Sequence, residues 1–149
     1  ARDNVRVILS LGGTALEPAE RAALKRDRVE IDTYVDQRLV LRHAGVFVTH
    51  HGLNSTHESI ACLVPMLSYP FAWDQPDLAS TCQRLGVAVP LTTVPAGPMS
   101  VADVHQAMDR VDAERDAMRD ALAAVRQQEI DVVLNRPEVV RRILSLGAR

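Results

Sequence analysis

The chain has 149 residues, the size of one ordinary domain, and with 47% hydrophobic and 24% charged residues it is not a disordered tail. Seventeen Lys and Arg against nineteen Asp and Glu leave a net charge of −2, so no basic field marks it for nucleic acid or anionic lipid. Two cysteines, Cys62 and Cys82, are too few for a disulfide framework and too far apart for a CxxC pair. No run approaches the roughly 18 apolar residues of a membrane span. The opening ARDNVRV lacks the apolar core of a signal peptide, which sets the expected location as cytoplasmic.

Taken in chain order, Val5 to Ser10 reads as a short β-branched strand stopped by Gly12 and Gly13. Pro18, suited to a first helical turn, opens an Ala-rich helix to about Asp27. Val29 and Ile31 alternate with charges as a second strand, and Asp36 to His43 reads as a brief helix. Gly45 to Thr49 is a third strand, followed by the polar run HHGLNST and a helix over Thr56 to Cys62. Val64 to Tyr69 is a fourth strand, with Pro65 at its start. A loop follows from Phe71 to Pro76, then a helix from Asp77 to Leu85 with Gly86 after it, and a fifth strand from Val87 to Leu91. Ser100 caps a helix with Asp103 three residues on; Ala117 to Val125 marks the next helix, and Pro137 to Leu144 the last. Alternating β and α followed by helices predicts one α/β domain over 1–149: a Rossmann-like parallel sheet with helices on both faces, then C-terminal helices.

All five aromatic residues lie between Tyr34 and Trp73, and four of the five histidines (His43, His50, His51 and His57) share that stretch. Groups that stack, donate and titrate are therefore concentrated in the middle third. In HHGLNSTHE, His50 to Glu58, Gly52 between a strand and a helix allows close backbone approach. The helix start offers unpaired N–H groups and a positive dipole end to an anion, most simply a phosphate. Ser55 and Glu58 also stand at the S-x-x-E spacing of a capping box, and local spacing favours that plainer reading. His51 and His57 read as structural or surface groups. There is no HExxH pair and no requirement for a metal; GxSxG, GxxxxGK[ST] and GxGxxG are absent too. In PFAWDQPD, Pro70 to Asp77, the acceptor Asp74 beside the mixed donor and acceptor Gln75 suits vicinal sugar hydroxyls, although DQP reads equally well as a turn and N-cap before the following helix.

Together these elements resemble a known signature. The run from YVDQ (Tyr34 to Gln37) through GVFVTHHGLNSTHESIACLVPMLSYPFAWDQPDLA is similar to the donor-binding segment of GT-B nucleotide-sugar glycosyltransferases, the family of plant UDP-glycosyltransferases, animal glucuronosyltransferases and bacterial macrolide glycosyltransferases. The resemblance implies that Tyr34, Val35, Gln37 and Glu58 bind the nucleoside, Glu58 accepting from the ribose hydroxyls. It implies that His50, Gly52, Asn54, Ser55 and Thr56 hold the diphosphate, and that Asp74 and Gln75 hold the sugar. Gly12, Gly13 and Thr14 would reach the donor from the first turn. Leu63 departs from the pattern, standing where the family usually has Gly before Val-Pro. The donor would be a UDP- or TDP-hexose, with no cofactor and no metal.

In such enzymes the acceptor site and its catalytic base lie in an N-terminal domain. The expectation is thus a C-terminal donor-binding domain of an inverting enzyme that carries no catalytic residue of its own and is inactive alone. It would work with an acceptor domain in cis or as a separate subunit, and with no nucleic-acid partner. The alternatives are a non-catalytic or split-enzyme subunit and, further off, an epimerase of the same fold.

Overall fold

A computed structural model of the chain describes residues 5–146; the first four residues of the ARDNVRV opening lie outside them. Every expected strand forms, β2 over its expected span and the others shortened by two or three residues: β1 (Val7–Ser10), β2 (Val29–Asp32), β3 (Phe47–Thr49), β4 (Met66–Ser68) and β5 (Ala88–Pro90). The helices are α1 (Pro18–Leu24), α2 (Gln37–Leu41), α3 (Leu53–Cys62), α4 (Gln75–Arg84), α5 (Val101–Ala113) and α6 (Arg115–Leu146). All strand pairs are parallel, in two sheets, β1-β2 and β3-β4-β5. The chain divides into two compact units, 1–40 and 41–149.

In the first unit β1 and β2 pair from Val7 opposite Val29 to Ser10 opposite Asp32. Gly12 and Gly13 follow with φ of 62° and 91°, the left-handed region that glycine enters without steric cost. The Thr14 N–H donates to the Leu11 carbonyl at 3.1 Å, closing the turn, and the Gly13 N–H donates to the Thr33 carbonyl at 2.8 Å, tying it to the end of β2. Pro18 takes the first position of α1, the Glu20 carboxylate accepts from the Glu17 N–H at 3.0 Å, and Arg21 donates to the Ile31 carbonyl at 2.8 Å.

In the second unit the period-two geometry of β4 and β5 divides the core between the two faces of the three-stranded sheet. Met66 and Ala88 join Ile60, Cys82, Val87 and Leu122 on one face, covered by α3, α4 and α6. Leu67 and Val89 join Leu91, Ala107, Val111 and Met118 on the other, covered by α5 and the start of α6. Ser100 caps α5 as expected, its hydroxyl accepting from the Asp103 N–H at 3.2 Å; the hydrogen bonds Ser100 returns hold the Asp103 carboxyl below its usual range. Burial raises the Cys82 thiol to about 11, helped by Glu129, so it stays a core group at neutral pH.

The two last helices expected from the sequence are one. The helix α6 runs through Pro137 over 32 residues, the proline withholding one backbone donor from its ladder. Its first half is tied down: Arg115 donates to the Gly45 carbonyl at 3.1 Å, Arg126 to the Ala61 carbonyl at 3.4 Å, and His57 Nδ1 meets Glu129 at 2.7 Å.

Candidate functional site

The carboxyl ends of β3 and β4 lie side by side, since Thr49 pairs with Ser68, and each strand runs directly into a loop and a helix. Parallel α/β sheets present ligands at this rim. After β3, α3 starts three residues before the predicted Thr56. Its N-cap is Gly52, and the first intrahelical bond runs from the Thr56 N–H to the Gly52 carbonyl at 3.0 Å. The N–H groups of residues 53–55 thus precede the helical ladder and point out of its positive end. Gly52 carries no side chain to cap them, which leaves that end to be approached from outside.

This start rules out the capping box at Ser55 and Glu58. Ser55 already sits inside the first turn and Glu58 lies a further turn along, too far from the N-cap to tie off its N–H. At spacings of three and four residues, Glu58 shares a face with Ser55 and Asn54. That face is the outer one, because Thr56, Ser59 and Ile60 point into the core.

His50 is exposed, and its imidazole lies close to the Gly52 N-cap. A Cβ built on Gly52 would sit 2.8 Å from His50 Nε2. A side chain at Gly52 would have to displace the imidazole, although the backbone there, with φ of −60°, admits any residue. Gly52→Ala is expected to push the imidazole off the helix end and weaken anion affinity about 5- to 10-fold, for a stability cost of roughly 1 kcal/mol or less. Calorimetric titration beside a thermal melt separates the two effects.

His51 has a different role. It has φ of 63° and its side chain is wholly buried. Its N–H donates to Thr49 Oγ1 at 3.0 Å, Nε2 lies 2.8 Å from Ser68 Oγ, and Nδ1 lies 3.3 Å from Thr56 Oγ1. Thr56 donates its own hydroxyl proton to the Gly52 carbonyl at 3.1 Å, so it accepts from Nδ1–H, and Ser68 donates to Nε2. A neutral imidazole satisfies every partner. Burial, with the nearby His50 charge adding to it, pushes the His51 pKa down to about 4. The same bonds correct the expectation for Thr56, whose hydroxyl and backbone N–H are both spent inside the protein. It secures the loop from within and offers nothing to a phosphate.

After β4, the loop closes on Gln75. Its side-chain carbonyl accepts from the N–H groups of Phe71 at 3.0 Å and Ala72 at 3.4 Å, and its own N–H donates to the Ala72 carbonyl at 3.3 Å. Gln75 was expected to offer donor and acceptor together; the turn uses the acceptor, and the –NH2 donors remain. Asp74 stands at the N-cap of α4, the plainer of its two expected readings, but its exposed carboxylate caps no N–H group. Tyr69 and Phe71 pack edge to face beneath the loop, centroids 5.2 Å apart.

Of the remaining expected residues, Tyr34 is 79% exposed, and Gln37 opens α2, in the first unit with Val35, Gly12, Gly13 and Thr14. Leu63, where the resemblance leads one to expect Gly, ends α3 in the left-handed region with φ of 58°. Its side chain packs against the Ile60 and Met66 cluster, which offsets that strain. Among the described residues no group of three or more His, Cys, Asp or Glu is placed to hold a metal ion.

Residues 16–123 match the family model described as UDP-glucoronosyl and UDP-glucosyl transferase. The chain belongs to this family. It is 42% identical over 136 residues to the oleandomycin glycosyltransferase of Streptomyces antibioticus, covering 91% of this chain and 26% of that enzyme. With UDP-glycosyltransferase 85A8 of Stevia rebaudiana it shares 35% identity over 66% of its own length and 21% of the relative's. The chain thus spans about a quarter of these family members. Among solved structures, the glycotransferase of kitacinnamycin superposes with a TM-score of 0.70 at 24% identity, over 93% of this chain and 43% of that one. Os79 from O. sativa, in complex with UDP, superposes with a TM-score of 0.65 at 21% identity, over 81% and 35%. The parallel α/β arrangement followed by helices is the Rossmann-like fold of GT-B glycosyltransferases.

Proposed function

We propose that this chain is the donor-binding half of an inverting glycosyltransferase that moves a hexose from UDP or TDP to a hydroxyl of a small-molecule acceptor. The observation that carries the reading is the start of α3: a side-chain-free N-cap, His50 close to it, and Glu58 on the outer face one turn further along. The helix end and His50 suit a diphosphate, Asn54 and Ser55 add polar groups in the same turn, and Glu58 suits a ribose diol. Asp74 and the Gln75 amide, on the neighbouring strand's rim, suit sugar hydroxyls. Base binding by Tyr34, Val35 and Gln37 and first-turn contacts by Gly12, Gly13 and Thr14 belong to the same proposal and rest on the family resemblance.

As the bond to the sugar breaks, negative charge grows on the diphosphate. N–H donors and an imidazole already aimed there bind the transition state more tightly than the ground state. The residues described supply leaving-group stabilisation; the acceptor and the base that deprotonates it would come from an N-terminal domain or a partner subunit. Calorimetric titration with UDP and TDP tests the reading: one saturable equivalent is expected with at least one of them, and no heat with either contradicts it.

A further inference from the structure

Among the described residues of the second unit, four besides glycine have positive φ: His51 at 63°, Leu63 at 58°, Trp73 at 58° and Ala96 at 51°. For a bulky side chain this region is strained. Three of the four have an evident compensation. His51 is buried with a hydrogen bond at each ring nitrogen, Leu63 packs on the core, and Ala96, with only a methyl to accommodate, anchors its loop by donating its N–H to the Pro70 carbonyl at 2.8 Å. Trp73 has none. Its side chain is 89% exposed, and among the described residues its indole makes no ring contact or hydrogen bond.

The strain is imposed by the turn that Gln75 closes, and the sequence fills the strained position with the one tryptophan of the chain. A glycine would meet the turn's demand without strain, and an exposed indole contributes nothing to the core. Persistent strain of this kind, held by a rigid turn, is found where the side chain serves a ligand. Trp73 directly precedes Asp74 in the chain, and both residues are exposed. A flat apolar ring beside a carboxylate and an amide donor is the chemistry that binds a pyranose: hydroxyls to the polar pair, the ring's C–H face against the indole.

We propose that Trp73 is a stacking surface for the hexose of the nucleotide sugar and makes this site select for a sugar-bearing donor over the free nucleotide. The proposal rests on the donor-site reading above and adds a residue to it. Its signature is a pair of effects of opposite sign. Trp73→Gly relieves the backbone and is expected to raise the melting temperature by about 3 °C. The same change is expected to lower affinity for UDP-glucose or TDP-glucose about tenfold, with affinity for UDP or TDP unchanged. Trp73→Phe keeps a ring and should retain most of the sugar-dependent affinity.

Isothermal titration of wild type and both variants with the two nucleotides and their glucose conjugates, beside thermal melts, reads all of these quantities. A glycine variant that keeps full affinity for the glucose conjugate overturns the stacking role while nucleotide binding still stands. A loss that falls equally on free nucleotide and conjugate overturns it too. Wild type that binds neither nucleotide overturns the donor-site reading and this proposal together.

Discussion

Acidification from pH 6.5 to 4 is expected to destabilise the protein by roughly 3 kcal/mol through His51 alone. Its folded pKa of about 4 lies below the 6.5 of a free imidazole, so between those values the unfolded chain binds the extra proton and the folded chain does not. The contribution is fully present above pH 6.5, is lost progressively as pH falls toward 4, and is constant below that. His51→Asn tolerates the left-handed backbone but has no proton to gain. It should cost about 2–3 kcal/mol at pH 7, by leaving Ser68 or Thr56 short of a partner, and should flatten the slope between pH 6.5 and 4. Urea denaturation at a series of pH values measures both effects; a variant that keeps the wild-type slope would show that another group carries the acid sensitivity.

Much of this arrangement is legible in the residues. Short apolar runs mark all five strands of the described residues, those of β1 and β3 being β-branched and closed by glycine or a polar cluster, and His50, Gly52 and Glu58 stand out in the segment that follows β3. What the residues conceal is set by backbone geometry. The spacing of Ser55 and Glu58 imitates a capping box because the true N-cap, Gly52, has no side chain to announce itself. Thr56 reads as an outward hydroxyl until the early start of α3 turns it into the core. Gln75 reads as a sugar ligand on both its oxygen and its nitrogen, whereas the turn it closes uses the oxygen. The strain at Trp73 and the burial of His51 depend on φ angles that no residue pattern encodes. Pro137 reads as the start of a separate helix, yet α6 continues through it.

His50→Ala and Glu58→Ala are each expected to weaken binding of UDP by roughly 10- to 150-fold, the worth of a hydrogen bond to a charged group. The two losses should differ in kind. His50 is proposed to act on the diphosphate, so its removal is expected to weaken every nucleoside diphosphate alike, and more at low ionic strength. Glu58 is proposed to act on the ribose, so Glu58→Ala should cost less with 2′-deoxy-UDP, which has one hydroxyl fewer to donate. Titration of the two variants with both ligands gives the four affinities. Equal losses for UDP and its deoxy analogue in the Glu58 variant would remove Glu58 from the ribose.

The central claim is that the open amino end of α3 receives the diphosphate. Backbone amide resonances of the isotopically labelled protein, followed as the preferred nucleoside diphosphate is added, test it most directly. The account predicts the largest shifts at Gly52, Leu53, Asn54 and Ser55, with the His50 ring moving in step. Saturable binding that leaves those amides unmoved and shifts resonances elsewhere would contradict it.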